Sequence, residues 1–388
     1  MIGSPPDAAL VARVRDRLVS DGREPTPSVV AEVLRHDGLV LGDTAVLSLV
    51  AGLRAELVGL GPLEVLLADP EVTDVLVNSP TEVWLDRGAG LERVEVRLAS
   101  ELAVRRLAQR LAAAAGRRLD DAAPFVDAAL PGGMRLHAVL PPISPGGTVI
   151  SIRTLRRRSF TLPELVDRGT VSAAGVPWLR ALIDGRLAYL VTGGTGSGKT
   201  TFLSSMLSQV DPGERLLLVE DSCELTPDHP HVVRLTARSP NVEGTGAVTL
   251  RDLVRQALRM RPDRIVVGEV RGAEVVDLLA ALNTGHEGGA ATLHANSAAD
   301  VPARIAALAL AAGLDSGGAH AQLAVGIAAV LHLRRSPTGR ILESINVLTT
   351  TTSGTVSQVA LQMSGDLVVA GPGFDQLVAR IGKESAPK

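Results

Sequence analysis

A glycine-rich stretch, residues 193–200, has the residue types and the spacing of a phosphate-binding loop. It reads GGTGSGKT and fits the pattern G-x-x-x-x-G-K-[ST] at Gly193, Gly198, Lys199 and Thr200. Glycines allow the backbone to curl until successive N–H groups point at one anion. The apolar run LAYLVT precedes the loop and the helix-like run TTFLSSMLSQV follows it, so a helix N-terminus would add partial positive charge. The stretch predicts an anion site between a strand and a helix.

The chemistry expected at this loop is the binding of ATP together with Mg²⁺. Lys199 is expected to reach the β- and γ-phosphates, and the Thr200 hydroxyl to ligate the cation. A glycine-rich turn that matches the pattern by chance is the alternative, and the flanking strand and helix argue against it. The residues predicted to surround the phosphates are Gly193, Gly194, Thr195, Gly196, Ser197, Gly198, Lys199, Thr200 and Thr201.

Carboxylates stand at the ends of two apolar runs further along the chain. Glu220 ends the run RLLLVE, and Glu269 ends DRIVVGE. Because the carboxyl ends of parallel strands lie at one edge of a sheet, both acids are expected near the phosphate loop. They are candidates to hold Mg²⁺, directly or through water, and to orient the attacking water, and either one would serve as general base. Many P-loop proteins carry Asp where Gly268 stands here. A solvated acid in a turn is the alternative, and it suits Asp221 or Glu224 better than Glu269.

Two histidines flank a second glycine-rich turn in the segment NTGHEGGAATLHAN. His286 and His294 could sense the γ-phosphate or connect it to a neighbouring subunit by hydrogen bonds. A zinc site is a rival interpretation, but no cysteine lies nearby and the spacing fits no standard motif. Histidines satisfied within the core are the third interpretation, and the residues alone leave it open.

Several arginines are candidate phosphate ligands. Arg271 stands two residues after Glu269, while Arg135 and Arg153 lie on two strand-like runs far upstream. A third group, Arg251, Arg255 and Arg259, repeats every four residues and so occupies one face of a helix. That face is either an ordinary solvated surface or a surface that contacts a neighbouring subunit or ATP.

The overall composition indicates the kind of fold that must position these residues. The chain has 388 residues with 46% hydrophobic and 2% aromatic residues, so its cores are expected to consist of Val, Leu, Ile and Ala, which suits helices packed on parallel sheets. The net charge is −3, which gives no general footprint for direct nucleic-acid binding. The single cysteine, Cys223, excludes an internal disulfide.

The pattern along the chain predicts four segments. Residues 1–58 are expected to be helical, 59–157 a small α+β domain, 158–168 a linker and 169–388 a domain in which strands and helices alternate around a parallel sheet. We expect buried helices at 305–314 and 323–331, and a polar turn or loop at 349–354. No signal peptide and no integral membrane segment are predicted, since no run reaches the ~20 apolar residues required to span a bilayer.

Together the motifs resemble the secretion-ATPase superfamily of type II and type IV secretion and pilus assembly. The order is a phosphate loop, an acidic box (LLLVEDSCEL), a Gly-Glu variant of the Walker B motif (RPDRIVVGEVRG) and a histidine box (GHEGGAATLHAN). Within it, the chain is most similar to tight-adherence (Flp) pilus assembly ATPases of the CpaF/TadA type, over roughly residues 45–348. The tetracysteine zinc element of some type II members is absent from the sequence.

This resemblance implies a fold, an assembly and roles for the residues above. The expected fold is α/β, with a C-terminal RecA-like P-loop NTPase domain behind a PAS-like α+β domain and an N-terminal helical segment. The implied assembly is a cytoplasmic homohexamer that meets the inner face of the membrane through pilus or secretion platform proteins. Glu269 becomes the favoured catalytic glutamate, with Glu220 as a second carboxylate. Arg135 and Arg153 would contact phosphates, and His286 and His294 would belong to the histidine box.

The function expected from these residues is ATP hydrolysis that drives pilus assembly or secretion. A conjugal-transfer or type IV secretion ATPase is an alternative, as is a pilus retraction motor. A nucleotide-binding regulatory module without turnover is the alternative from another class. The presence of Lys199, Thr200, Glu220 and Glu269 argues against that module.

Overall fold

The computed structural model describes residues 8–387 except 22, 24, 40, 58, 89, 131–132, 155–158, 239, 241–244, 286, 337–338, 353, 366 and 384. The chain divides into two compact units, Met1–Leu155 and Arg156–Lys388. Each has its own apolar interior, and they are described separately below.

The first unit begins with three helices that share a small apolar cluster. The helices are α1 (Ala8–Asp21), α2 (Pro27–His36) and α3 (Asp43–Leu57). Helix α2 starts where the Thr26 hydroxyl accepts the backbone N–H of Val29, with proline at the first helical position. Leu18, Leu34 and Leu53 are buried where the three helices meet.

The remainder of the first unit is an antiparallel sheet with a helix packed on it. Its elements are α4 (Glu64–Leu67), β1 (Asp74–Ser79), β2 (Glu82–Asp86), β3 (Leu91–Val94), α5 (Glu101–Ala114), β4 (Phe125–Ala129), β5 (Arg135–Val139) and β6 (Val149–Arg153). The strand order is β3-β2-β1-β6-β5-β4. Alternate residues such as Val75 and Val77 are buried, as expected for a sheet that covers a core on one face.

The second unit alternates helices with strands along most of its length. Its helices are α6 (Leu162–Asp167), α7 (Val176–Asp184), α8 (Lys199–Leu207), α9 (Leu250–Ala257), α10 (Glu274–Leu282), α11 (Val301–Ala311), α12 (Ser316–Gly326) and α13 (Phe374–Ile381). Its strands are β7 (Tyr189–Gly193), β8 (Leu216–Glu220), β9 (Val232–Thr236), β10 (Arg264–Val270), β11 (Ala290–His294), β12 (Ala329–Ser336), β13 (Gly339–Thr351), β14 (Gly354–Ser364) and β15 (Leu367–Ala370).

The strands of the second unit form one sheet in the order β15-β14-β13-β12-β7-β11-β10-β8-β9. Strands β12, β7, β11, β10, β8 and β9 pair in parallel, and β13 to β15 add antiparallel strands beyond β12. Every residue of β7 and β8 is buried, because apolar clusters cover both faces of the sheet. The expected α/β class with a parallel sheet is confirmed.

The structure departs from the sequence-based expectations at several places. Only the first part of the run 323–331 is helical, since β12 begins at Ala329 and joins the sheet. Thr349 to Thr351 belong to β13 rather than to a polar loop. The segment 158–168, predicted as a linker whose run SFTLPELVD also indicates a helix start, contains α6, and Leu162 and Leu165 of this helix are buried in the second unit. Among the described residues, no helix is long and apolar enough to cross a membrane.

Candidate nucleotide-binding site

The phosphate loop connects β7 to α8 with the geometry that its glycines require. Gly198 has a φ of +89°, and it lies directly before the first residue of α8. A Cβ on Gly193 would lie 2.3 Å from the carbonyl oxygen of Leu333 and 2.5 Å from Ser197 Oγ. The loop is therefore packed too closely at this position for any side chain. Thr195 and Gly196 are exposed at its tip.

The Lys199 side chain is buried inside the curl of this loop. Its ammonium donates hydrogen bonds to the carbonyl oxygens of Gly193 (3.0 Å) and Gly194 (3.1 Å). His294 Nε2 lies 3.3 Å from the same nitrogen. Burial lowers the pKa of Lys199, and the charge of Glu269 acts in the opposite direction. Phosphate oxygens arriving in the loop would offer this ammonium stronger, charged acceptors.

Glu269 lies between the guanidinium of Arg271 and the imidazole of His294. Its Oε1 lies 2.9 Å from His294 Nε2, and its Oε2 accepts hydrogen bonds from Arg271 Nε (2.8 Å) and pairs with Arg271 Nη2 (2.6 Å). Burial, and then the charge of Lys199, lower the pKa of His294. A chain of contacts therefore runs from Lys199 through His294 and Glu269 to Arg271. Lys199 lies in the phosphate loop, and the other three residues lie at the carboxyl ends of their strands or just beyond.

Glu220 is the more buried of the two predicted carboxylates. Its Oε1 accepts the backbone N–H groups of Glu224 (2.9 Å) and Leu225 (2.8 Å), whereas its Oε2 is buried and has no hydrogen-bond partner among the described residues. Burial raises the pKa of Glu220 to about 7, against the lowering effect of the two backbone hydrogen bonds. One oxygen is therefore fixed in place while the other remains available to bind a ligand or a proton.

A small cavity lies between Glu220, Glu269 and Thr200. It has a volume of about 20 Å³, which is enough for one water molecule. Its lining consists of Thr200, Glu220, Asp221, Ser222, Glu224, Gly268, Glu269 and Arg271. Hydroxyl and carboxylate oxygens are the ligands that Mg²⁺ takes, and this ion usually completes its shell with water and phosphate oxygens. The hydroxyl of Thr200 and the carboxylates of Glu220 and Glu269, which line one cavity, fit such an ion.

The remaining predicted residues are not among those that line this cavity. Thr201 is in the first turn of α8, and Ser197 is buried in the loop, where its hydroxyl has no hydrogen-bond partner in the described part of the chain. Arg135 and Arg153 belong to the first unit, where they face each other across β5 and β6. There Arg135 pairs with Asp127 (3.2 Å) and Arg153 with Asp74 (3.1 Å). His286 lies outside the described residues.

The basic face of α9 is an ion-pair surface against α10. Arg251 Nε and Arg255 Nε each lie 2.7 Å from one carboxylate oxygen of Asp277. Arg259 donates to the backbone carbonyl of Arg255. Two of the three arginines thus have a carboxylate partner within the second unit.

Two arginines that the sequence patterns did not single out also lie beside the phosphate loop. Arg340 Nε donates to the Gly196 carbonyl at 2.9 Å, and Arg335 Nη1 lies 3.6 Å from the position of a Cβ on Gly196. Both come from the hairpin of β12 and β13. No local motif marks them, since their position depends on the pairing of β12 with β7.

Comparison with known proteins identifies the family. Residues 56–358 match the family described as Type II/IV secretion system protein. The chain belongs to this family. A Mycobacterium tuberculosis (strain H37Rv) protein named "Putative conjugal transfer protein Rv3659c" is 57% identical over 307 residues, which are 78% of this chain and 87% of that protein. The Bordetella pertussis (strain Tohama I) type IV secretion system protein PtlH is 34% identical over 255 residues, 60% of this chain and 75% of that protein.

A solved structure shows the same fold. The crystal structure of the pilus retraction motor PilT with bound ADP aligns with a TM-score of 0.51 and 20% identity, over 82% of this chain and 85% of that one. The expected RecA-like fold and membership of the type II/IV secretion superfamily are confirmed. Assignment to the tight-adherence branch stays a prediction.

Proposed function

We propose that this protein hydrolyses ATP and that Glu220 is the general base. The observation that carries the proposal is the cavity in which a buried, unpartnered oxygen of Glu220 meets Thr200 and Glu269 beside the phosphate loop. A general base works best when its pKa is near the operating pH, and the pKa of Glu220 is raised to about 7. Glu269, in contrast, is occupied by Arg271 and His294.

The other residues then take complementary roles. The loop N–H groups and Lys199 bind the phosphates, and Lys199 exchanges its backbone acceptors for phosphate oxygens. Thr200 would hold Mg²⁺, and Glu269 would contact it through water because its oxygens are paired with Arg271 and His294. The ion would supply charge neutralisation on the transferred phosphate. His294 lies between Lys199 and Glu269. When Lys199 turns to bound phosphate, His294 passes that change on to the orientation of the Glu269 carboxylate.

Phosphate release by purified variants tests the enzymatic proposal. We expect Lys199→Ala, Glu220→Gln and Glu269→Gln each to lower kcat by at least about 100-fold, the range of general-base and electrostatic contributions. Glu95→Gln, at an exposed acid in the first unit, is the matched control. Wild-type protein that releases no phosphate, even with membrane partners present, would rule out the motor and favour a regulatory module.

We further propose that the ATPase acts as a cytoplasmic homohexamer of the tight-adherence type. It would drive pilus assembly through platform proteins at the inner face of the membrane. Membership of the secretion family and the motif order support this proposal. Mass photometry of the full chain with and without ATP would test the ring, and only monomers or dimers in both conditions would contradict it. The assignment of Arg135 and Arg153 as nucleotide contacts stays a prediction.

Conjugal transfer is a second candidate, because the 57% identical relative carries that description in its name. The two pathways differ in what a deletion strain loses. Loss of surface pili with normal plasmid mating supports the tight-adherence assignment, whereas the opposite result supports conjugal transfer.

A further inference from the structure

The hairpin of β12 and β13 stands beside the phosphate loop. Strand β12 pairs in parallel with β7, and Leu333 is opposite Gly193, the last residue of β7. Strand β12 continues to Ser336 and therefore extends past the end of β7. The residues beyond Leu333 consequently lie next to the loop that β7 enters.

Two guanidinium groups of this hairpin are directed at the loop. Arg335 and Arg340 are opposite each other in the β12–β13 register. Arg340 Nε donates to the Gly196 carbonyl (2.9 Å), and its Cδ lies 2.9 Å from the position of a Cβ on Gly198. Arg335 Nη1 approaches the Gly196 Cβ position to 3.6 Å. Arg340 thus uses one nitrogen to support the loop, and its terminal nitrogens make no hydrogen bond within the described part of the chain.

No carboxylate of the described residues neutralises the charges of this pair. Like charges directly opposite each other on two strands are destabilising. Among the described residues, neither Arg335 nor Arg340 forms an ion pair with a carboxylate, whereas the neighbouring Arg334 pairs with Glu343 at 2.8 Å. Two adjacent cations beside a loop built for an anion are the expected arrangement if that anion supplies the missing charge.

The strand order of the sheet places Arg335 and Arg340 on the other side of β7 from Glu220 and Glu269. Strand β12 flanks β7 on one side, while β11, β10 and β8, which carry His294, Glu269 and Glu220, lie on the other. We propose that Arg335 and Arg340 bind the phosphate chain of the nucleotide from the side of the loop opposite to Glu220 and Glu269. This assignment rests on the proposed function, since it requires that the loop bind a nucleotide.

Binding measurements on the full chain test the proposal without requiring turnover. Isothermal titration would use AMPPNP and ADP with Mg²⁺, and inorganic tripolyphosphate, which has neither base nor ribose. We expect Arg335→Gln and Arg340→Gln each to weaken AMPPNP and tripolyphosphate binding about tenfold, the size of one charge-assisted hydrogen bond. ADP, with one phosphate fewer, is expected to lose less. Arg340→Lys is expected to retain part of the affinity.

Two comparisons separate a phosphate contact from a change in the loop. Arg334→Gln lies on the same strand, is already paired, and is expected to bind like wild type. Arg335 makes no hydrogen bond to the loop within the described residues, so a loss in Arg335→Gln does not arise from a released Gly196 carbonyl. Equal melting temperatures of these variants would show that the fold is retained.

The outcomes distinguish this proposal from the proposed function. If wild type binds AMPPNP and both glutamine variants bind it equally well, the arginine assignment is wrong and the ATPase proposal stands. A loss seen with AMPPNP but not with tripolyphosphate places the arginines on the base or ribose and overturns the phosphate assignment. Wild type that binds neither compound overturns both proposals.

Discussion

Gly268 and Glu220 are packed against each other across β10 and β8. A Cβ added to Gly268 would lie 2.8 Å from Glu220 Cγ and 3.4 Å from its Oε1. Glu220 cannot retreat easily, because that same Oε1 is fixed by two backbone N–H groups. The absence of a side chain at Gly268 therefore leaves the space in which Glu220 is held.

Replacing Gly268 with alanine is expected to displace Glu220 and lower kcat at least about tenfold, since small misplacements of a catalytic group have effects of this size or larger. The φ of Gly268 is not positive, so the effect would be steric rather than a matter of backbone strain. Steady-state phosphate release measures it. Gly146→Ala, where an added Cβ meets nothing within 4 Å, is the control. Full activity in Gly268→Ala would show that the position of Glu220 is not critical.

The raised pKa of Glu220 predicts a pH dependence. A general base acts in its ionised form, so kcat/KM, which reports the ionisation of the free enzyme, is expected to fall as pH decreases through about 7, where Glu220 takes up a proton. The pH–rate profile of wild type should show this acidic limb. In Glu220→Gln the residual rate should lose it, whereas Glu95→Gln should retain it. A profile that is flat between pH 6 and 8 in wild type would exclude Glu220 as the base.

The free energy of unfolding is expected to fall as pH rises and Glu220 ionises, whereas activity is expected to rise. A carboxyl whose pKa is higher in the folded state binds its proton more tightly there, so folding is penalised as pH rises from the unfolded value toward about 7. Glu220→Gln removes that penalty, and at pH 8 without Mg²⁺ or nucleotide it should be more stable than wild type by up to about 3 kcal/mol. At pH 5 the two proteins should differ little. Urea denaturation at both pH values measures the difference, and a variant less stable than wild type at pH 8 would contradict it.

Arg271 is expected to position Glu269 rather than to stabilise the fold. The arginine side chain is half exposed, so its ion pair contributes at most about 1 kcal/mol to stability. Arg271→Gln should therefore lower kcat with little change in nucleotide Kd or in Tm. Arg259→Gln, another exposed arginine of this unit, should leave all three unchanged. A rise in Kd at unchanged kcat would instead make Arg271 a phosphate ligand, as the sequence analysis predicts.

The parts of the site that sequence could predict are those encoded by local pattern. The phosphate loop is one such part, because its glycines, Lys199 and Thr200 are contiguous and flanked by a strand and a helix. Glu220 and Glu269 were predictable because each ends an apolar run, and parallel strands end at one edge. Their division of roles was not, since it depends on which neighbours each carboxylate meets after folding.

The contributions of the last third of the chain were hidden for a related reason. Arg335 and Arg340 reach the loop only because β12 pairs with β7, which lies about 140 residues earlier, as the separation of Thr192 and His332 in the same pairing illustrates. The run that ends in β12 reads as helical in isolation because it is rich in alanine and leucine. Its assignment to the sheet is a tertiary effect that overrides local propensity.

A final prediction concerns the opposite edge of the same sheet. Arg264, at the start of β10, is buried and makes two hydrogen bonds with the buried Glu214, both at about 2.8–2.9 Å. Glu214→Ala would leave that guanidinium charged and without its carboxylate, which is expected to destabilise the second unit by about 3–5 kcal/mol. Trp178 is buried in this unit, so its fluorescence in a Trp84→Phe background reports the unfolding transition.

Two further variants show whether the cost comes from the uncompensated charge. Glu214→Leu combined with Arg264→Met replaces the pair by apolar groups and should recover most of the lost stability. Arg334→Ala, which breaks an exposed pair with Glu343, should cost no more than about 1 kcal/mol. Because the pair lies at the end of β10 remote from Glu269, kcat measured below the melting transition should be unaffected in Glu214→Ala. A loss of kcat without a loss of stability would show that this edge of the sheet takes part in the reaction.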